Sequence, residues 1–312
     1  MAQVHSNGSN GSNGAKNGTA NGSKNGTSNG SSSSAVMPFE VSGYALVVGA
    51  AGGIGREIGL SFAEAGARGV IFADLNYEGA AAAAEASKAV ASSPEYQPLP
   101  VKVNVTNRES VQAMVDYAAK EYGRIDYCIN AVGIDGRENV PMDEADIGDF
   151  EKVMDVNTKS IFIVTGAVAK YMKTQEPLKV NIKRHGVRDL GRGAIVNISS
   201  ALGICAVPNK VAYVTSKHAI TGITRATVMD YKQYNIRCNQ VCPAWVRTPM
   251  SEEEYKRVPQ LRAAIERLPA AGRLIEPDEI ASACLYLCTP AAAYLNGHIL
   301  TLDSGILSGP TL

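Results

Sequence analysis

An α/β architecture, a doubly wound parallel sheet in a single domain, follows from three observations on the sequence. From residue 42 onward, apolar runs of strand length alternate with helix-length segments, the order that builds right-handed βαβ crossovers. Runs such as "YALVVGA" (44–50) and "GVIFAD" (69–74) are apolar nearly throughout, as in strands covered on both faces. The first strand empties into a glycine-rich turn, "VGAAGGIGRE" (48–57), that opens a helix.

Each element can be placed in order. After the strand at 44–50, residues 54–66 carry helical apolar spacing and stop at Gly66. The second strand (69–74) leads to an alanine-rich helix, "YEGAAAAAEASKAVAS" (77–92). "PLPVKVNV" (98–105) reads as the third strand, followed by a helix opened by "TNRES" and running to Gly123. "IDYCINAVG" (125–133) is the fourth strand, and one long helix is expected from about Asp146 to Lys173. "GAIVNISS" (193–200) is the fifth strand, succeeded by a helix through "AYVTSKHAITGITRATVMDYKQY". "IRCNQVCP" (236–243), a helix from Pro277 and a last strand near "HILTLD" (298–303) complete the domain, which spans 37–312. Two segments break the rhythm. Residues 174–192 form a basic, Gly/Pro-containing insertion, and residues 249–276 read as a lid over the carboxyl ends of the strands.

Composition narrows the class. Of 312 residues, 45% are apolar, enough for a sizeable core, and 30 basic residues balance 30 acidic ones. No global field therefore favours nucleic acid or a membrane surface. No apolar stretch approaches the ~20 residues that span a bilayer. Six cysteines show no CxxC and read as free buried thiols, while the four scattered histidines argue against a metal site. Residues 1–36 repeat Asn-Gly with Ser, Thr and Lys and hold almost nothing to bury, so a disordered tail is expected. Its six Asn-Gly-Ser/Thr triplets match the glycosylation pattern. The start lacks a charged region followed by an apolar one, which points to a cytoplasmic protein and makes the triplets a by-product of the repeat.

The glycine turn suggests a dinucleotide. Gly49, Gly53 and Gly55 allow a tight turn and let backbone N–H groups approach a pyrophosphate at the helix N-terminus. Asp74 ends the second strand nineteen residues after Gly55, where a carboxylate accepts hydrogen bonds from ribose hydroxyls and repels a 2′-phosphate. No Arg or Lys follows it directly, so NAD is preferred, although Arg56 leaves NADP open. A second feature lies far along the chain. In "YVTSK" (213–217), Tyr213 and Lys217 share one helix face four residues apart. A free phenol, with pKa near 10, is too weak a base at neutral pH, and a neighbouring ammonium favours the phenolate.

These residues resemble the short-chain dehydrogenase/reductase family over about residues 42–307. Gly49, Gly53, Ile54 and Gly55 meet its glycine motif, and "NAVG" (Asn130 to Gly133) stands where the family has Asn-Asn-Ala-Gly. Asn157 in "DVNTKS", Ser200 thirteen residues before Tyr213, and the Tyr-x-x-x-Lys pair fall in order at fitting intervals. The resemblance implies that Tyr213 is the acid/base and that Lys217 also holds the nicotinamide ribose. It further implies that Ser200 hydrogen-bonds the substrate oxygen and that Asn157 supports a proton relay. Ser199 is the near competitor of Ser200. Asn104 replaces the usual Asp before Val105, Pro243-Ala244 replaces Pro-Gly, and "LDSGI" carries Ser304 where a glycine is frequent. By resemblance, Asn104 and Val105 would face the adenine, and Val246 and Thr248 the nicotinamide amide and phosphates.

The expectation is an NAD(P)-dependent oxidoreductase interconverting a secondary alcohol and a ketone, on a small or cyclic metabolite. Two alternatives keep the fold: a non-redox isomerase or cyclase step, and a non-catalytic dinucleotide-binding scaffold. The insertion resembles that of fungal members, several of which serve secondary metabolism. The resemblance also implies a homodimer or homotetramer packed through the helices bearing Asn157 and Tyr213.

Overall fold

Alternation within the apolar runs decides how the sheet is buried. In the computed structural model, which describes residues 39–137, 139–257, 262, 263 and 265–309, β1 spans Tyr44–Val48 and β2 Gly69–Asp74. Ala45 and Val47 of β1 and Val70 and Phe72 of β2 point into one core. Leu46 and Val48, with Ile71 and Ala73, point into the other. Both sets are buried to 1% exposure or less, so these strands have no solvent face. Burying each large aliphatic side chain contributes about 1.5–3 kcal/mol, which explains why the sequence carries no polar alternation here.

Seven strands form the sheet, in the order β3-β2-β1-β4-β7-β8-β9. The further members are β3 (Gln97–Lys102), β4 (Tyr127–Asn130), β7 (Gly193–Ile198), β8 (Ile236–Pro243) and β9 (Ile299–Leu302). Every neighbouring pair in it is parallel. α1 (Gly53–Glu64), α2 (Tyr77–Ser87) and α8 (Pro277–Cys288) cover one face, with Ile58, Phe62, Ala80, Ile280 and Leu287 in the core. α3 (Arg108–Tyr122) and α5 (Ser160–Met172) cover the other, through Met114, Val115, Val164, Val168 and Met172. α6 (Val211–Tyr231) packs beside α5. The chain reverses its winding between β1 and β4, and the crevice at such a switch point, beyond the carboxyl ends of the strands, is where open α/β sheets bind ligands.

Two local structures depart from the sequence reading. The single helix expected over 146–173 is interrupted. α4 (Ile147–Met154), capped by the Asp146 carboxylate accepting from the Asp149 N–H, runs into a π-helical turn at Asp155–Lys159 before α5 begins. The insertion folds as an antiparallel hairpin of β5 (Lys179–Asn181) and β6 (Val187–Asp189), turning through Lys183 and Gly186 at positive φ. Val180, Ile182 and Leu190 give it a small core of its own. The expected tail at 1–36 lies outside the described residues, as do 258–261 and 264 of the expected lid. All six cysteines are free, five of them buried. Among the described residues no helix is long and apolar enough to cross a membrane.

Candidate active site

The glycine turn is shaped by close backbone approach. Gly49 has φ +90°, and a Cβ there would sit 2.9 Å from the carbonyl carbon of Ala131. A Cβ on Gly55 would fall 2.0 Å from the Gly49 carbonyl oxygen, so α1 starts against the turn only because residue 55 has no side chain. On the outer side there is room: nothing lies within 4 Å of a Cβ at Gly52, and at Gly53 the nearest atoms belong to Thr248, at 3.8 Å. The turn is thus packed beneath and open above, at a helix N-terminus, where backbone N–H groups and the helix dipole favour an anion. Ile54 packs its side chain on the core behind it.

Asp74 reinforces that turn. One carboxylate oxygen accepts from the Ala51 N–H at 3.0 Å and the other from the Asn76 N–H at 3.0 Å. Each oxygen keeps a lone pair for a ribose hydroxyl. The Asn104 side-chain carbonyl accepts from the Thr106 N–H and hydroxyl, which leaves its amide NH₂ to donate. Val105 is buried behind it. Val246 is buried too, and Thr248 caps α7 (Pro249–Arg257) through reciprocal bonds with Ser251. Asn130 turns inward instead. Its amide donates to Asn197 Oδ1 at 2.8 Å and to Thr165 Oγ1 at 3.2 Å, tying β4, β7 and α5 together. It bears on the crevice only through the backbone that follows it.

The remaining residues converge around Gly133. A Cβ at that position would lie 3.2 Å from Lys217 Nζ and 3.6 Å from Asn157 Oδ1. Asn157, on the π turn, is wholly buried; its Oδ1 accepts from the Ile134 N–H and its Nδ2 donates to the Ile134 carbonyl, both at 2.8 Å. Nδ2 also donates to Ser216 Oγ at 3.0 Å, and Ser216 donates to the Tyr213 carbonyl at 2.8 Å. A π turn widens the helix locally, a device that recurs at functional sites. Ser216 was not singled out from the sequence, yet it stands within "YVTSK" and on the face shared with Tyr213.

Lys217 is only 4% exposed. Its Nζ lies 5.5 Å from the centre of the Tyr213 ring and donates to the Ile198 carbonyl at 3.3 Å. Burial pushes its ammonium down to about 8, since desolvation disfavours the charged form. The adjacent serines differ. Ser199 donates its proton to the Lys217 carbonyl at 2.9 Å, whereas Ser200 accepts from the Leu202 N–H at 3.1 Å and keeps its proton to donate. Tyr213 borders a pocket together with Asp135, Val140, Phe150, Lys210 and Val211.

Comparison with known proteins identifies the family. Residues 49–307 match the family described as enoyl-(acyl carrier protein) reductase. The chain is 39% identical to the short-chain dehydrogenase srdC of Neurospora crassa over 85% of its own length and 97% of that protein's. The chain belongs to the short-chain dehydrogenase/reductase family. The short-chain dehydrogenase anuF of Penicillium roqueforti is 37% identical, over 86% of this chain and 97% of its own. Among solved structures, a short-chain type dehydrogenase/reductase from Mycobacterium marinum superposes with a TM-score of 0.75 at 28% identity, over 87% of this chain and 98% of that one. Short-chain dehydrogenases/reductases work with NAD or NADP on alcohols and ketones, and this chain is an oxidoreductase of that kind.

Proposed function

We propose that this enzyme interconverts a secondary alcohol and a ketone with NAD as the preferred carrier, and that Tyr213 is its acid/base. The carrying observation is Lys217. An ammonium has three donors, and among the described residues this one is buried with one carbonyl, at 3.3 Å, to receive them. A buried cation left so short of partners is costly, and a ligand presenting hydroxyls beside Gly133 would satisfy it.

The bound nicotinamide would supply the hydride acceptor or donor. The chain's own residues would do the rest. Lys217 holds ribose hydroxyls and keeps positive charge beside the phenol. Tyr213 takes the alcohol proton, or returns it to the oxygen in the reverse direction. Ser200 donates to the same oxygen and stabilises the charge developing there. Asn157 fixes the Ile134 backbone that walls the site. Asp74 holds the adenosine ribose and disfavours a 2′-phosphate.

The substrate would lie in the pocket beside Tyr213, whose mixed lining of Val140, Phe150 and Val211 with Asp135 and Lys210 suits a moderately apolar, oxygen-bearing ring. Relatives named as a levodione reductase, a D-threitol dehydrogenase and a 3-oxoacyl-[acyl-carrier-protein] reductase share the scaffold. Substrate choice would therefore rest on the loops that line the pocket. The fungal relatives support a place in fungal metabolism of this type. Phe162 on α5 and Met229 on α6 are 58% and 62% exposed, which supports a homodimer or homotetramer built on these helices.

The deciding experiment is a cofactor-coupled screen of alcohols and ketones with both nicotinamides. Oxidation of NADH matched by alcohol formation is expected, faster than with NADPH, and Tyr213→Phe should lower kcat by two orders of magnitude or more. A panel in which no carbonyl compound consumed either cofactor, with Tyr213→Phe behaving as wild type, would overturn the proposal in favour of the scaffold. Product formed without net NADH consumption would instead establish the isomerase or cyclase.

A further inference from the structure

The first turn of α6 has an unusual origin. Tyr213 is its third residue, so it stands where backbone N–H groups lack intrahelical acceptors and helices fray most easily. A Ser, Thr, Asp or Asn normally steadies such a turn by accepting from it. Here the cap position is Lys210, with φ −130°, ψ 33° and no capping bond, preceded by Asn209 at φ +64°. A lysine cannot accept a hydrogen bond, and its charge lies at the positive end of the helix dipole. Taken locally, Lys210 is the wrong residue.

Its side chain explains its presence. Lys210 Nζ pairs with Asp135 Oδ2 at 2.5 Å, and both side chains are only 13% exposed. Asp135 immediately follows Ile134, whose N–H and carbonyl are both held by Asn157. Asp135 Oδ1 accepts from the Gly136 N–H at 2.9 Å, which orients the carboxylate. The Lys210 carbonyl accepts from the Val214 N–H at 2.8 Å and so begins the helix. A second route joins the same parts, from Asn157 through Ser216 to the Tyr213 carbonyl. The two routes join the 134–136 segment and Asn157 to the first turn of α6. Asp135, Lys210 and Tyr213 also line one pocket.

We propose that the Asp135–Lys210 ion pair is a positioning element that takes the place of the missing helix cap and sets Tyr213 against the wall of the substrate pocket. The inference rests on the reading of Tyr213 as the acid/base. An ion pair withdrawn from water gives little net stability. It does fix two segments 75 residues apart in one geometry, and catalysis is sensitive to that. A displacement of about 1 Å in a reacting group lowers rates about a hundredfold.

The test uses the full chain and four variants: Asp135→Asn, Lys210→Met, Lys210→Arg and the exchanged pair Asp135→Lys with Lys210→Asp. Each of the first two should lower kcat roughly ten- to a hundredfold, with KM for the nicotinamide unchanged. Lys210→Arg, and to a lesser degree the exchanged pair, should recover most of the loss. Amide hydrogen exchange measured without substrate should speed up over 211–217 in Asp135→Asn and Lys210→Met, and return toward wild type in Lys210→Arg. Unchanged exchange in that segment overturns the proposal whatever the activity. So does a kcat within twofold of wild type in both single variants. If the wild-type chain turns over none of the panel, that failure belongs to the proposed function, and the exchange measurement still decides the ion pair.

Discussion

The two walls of the crevice are built by different means. The wall made by β1 and α1 is a matter of backbone: Gly49, Gly55 and the strand end at Ala131 approach so closely that a single methyl collides with main chain. The loops that follow β4, β8 and β9, at the same end of the sheet, are held by side chains instead. Asp135 pairs with Lys210, Arg247 with Glu276, Arg273 with Glu279, and Ser304 Oγ receives the Ala271 N–H. A backbone wall has one solution, and it suits a ligand that does not vary. A side-chain wall can be rewritten residue by residue while the scaffold stays.

The sharpest way to break this contrast is Gly55→Ala. Its Cβ would lie 2.0 Å from a backbone oxygen that has nowhere to go. Overpacking against a main chain costs on the order of 3 kcal/mol or more, and α1 would be pushed off the turn. Loss of measurable dinucleotide binding in a nucleotide titration is expected, with a melting temperature lower by many degrees. A variant that binds and melts like wild type would remove the distinction between the walls.

Lys217→Met comes next, because Lys217 is buried between Gly133 and the Tyr213 ring. Burial holds its folded-state pKa at about 8 against an ordinary value of 10.5. Between those two values the unfolded chain carries a proton that the folded chain does not, so stability rises with pH across that window. Below about 8 the whole penalty is present. At pH 7 the penalty is on the order of 3 kcal/mol. Lys217→Met should therefore abolish turnover and raise the melting temperature of the cofactor-free protein at pH 7. Its advantage should fade as pH climbs from about 8 toward 10.5. A variant that melted lower than wild type at neutral pH would mean that the lysine is already satisfied without a ligand.

The same contrast governs what could be read in advance. Strands buried on both faces leave near-continuous apolar runs, so β1, β2, β4 and β7 stand out in the sequence, with ends displaced by a few residues, while β8 is broken by the buried Arg237, Asn239 and Gln240. Sterically forced glycines are equally visible. Tyr213 and Lys217 lie on one helix face, where periodicity alone brings them together. The π turn under Asn157 has no such signature: a helix of 3.6-residue period and one with a single widened turn carry the same apolar pattern. The strands β5 and β6, three residues each, are too short for alternation to speak. Asn130 could not be oriented from its position, because a strand end serves the core or the crevice depending on one residue of register. Asp135 and Lys210 are unremarkable until folding joins them.

Ser304→Gly sharpens the contrast from the other side, with the smallest expected effect. Ser304 stands at φ +49°, a left-handed conformation that glycine adopts freely and serine at a cost of about 1 kcal/mol. In return its hydroxyl accepts from the Ala271 N–H at 2.9 Å, while its carbonyl accepts from the Ala270 N–H at 3.1 Å. Only the first bond needs the side chain, and an exposed hydrogen bond contributes about 1 kcal/mol. The two terms nearly cancel, so the melting temperature should stay within about two degrees. The segment at 270–271 would nevertheless lose its side-chain tie to the turn after β9, and if 249–276 is the substrate lid, KM for the substrate should rise about two- to fivefold while kcat holds. If instead melting fell by many degrees, the hydroxyl would be holding up the sheet end itself. The loops held by side chains would then be less replaceable than their construction implies.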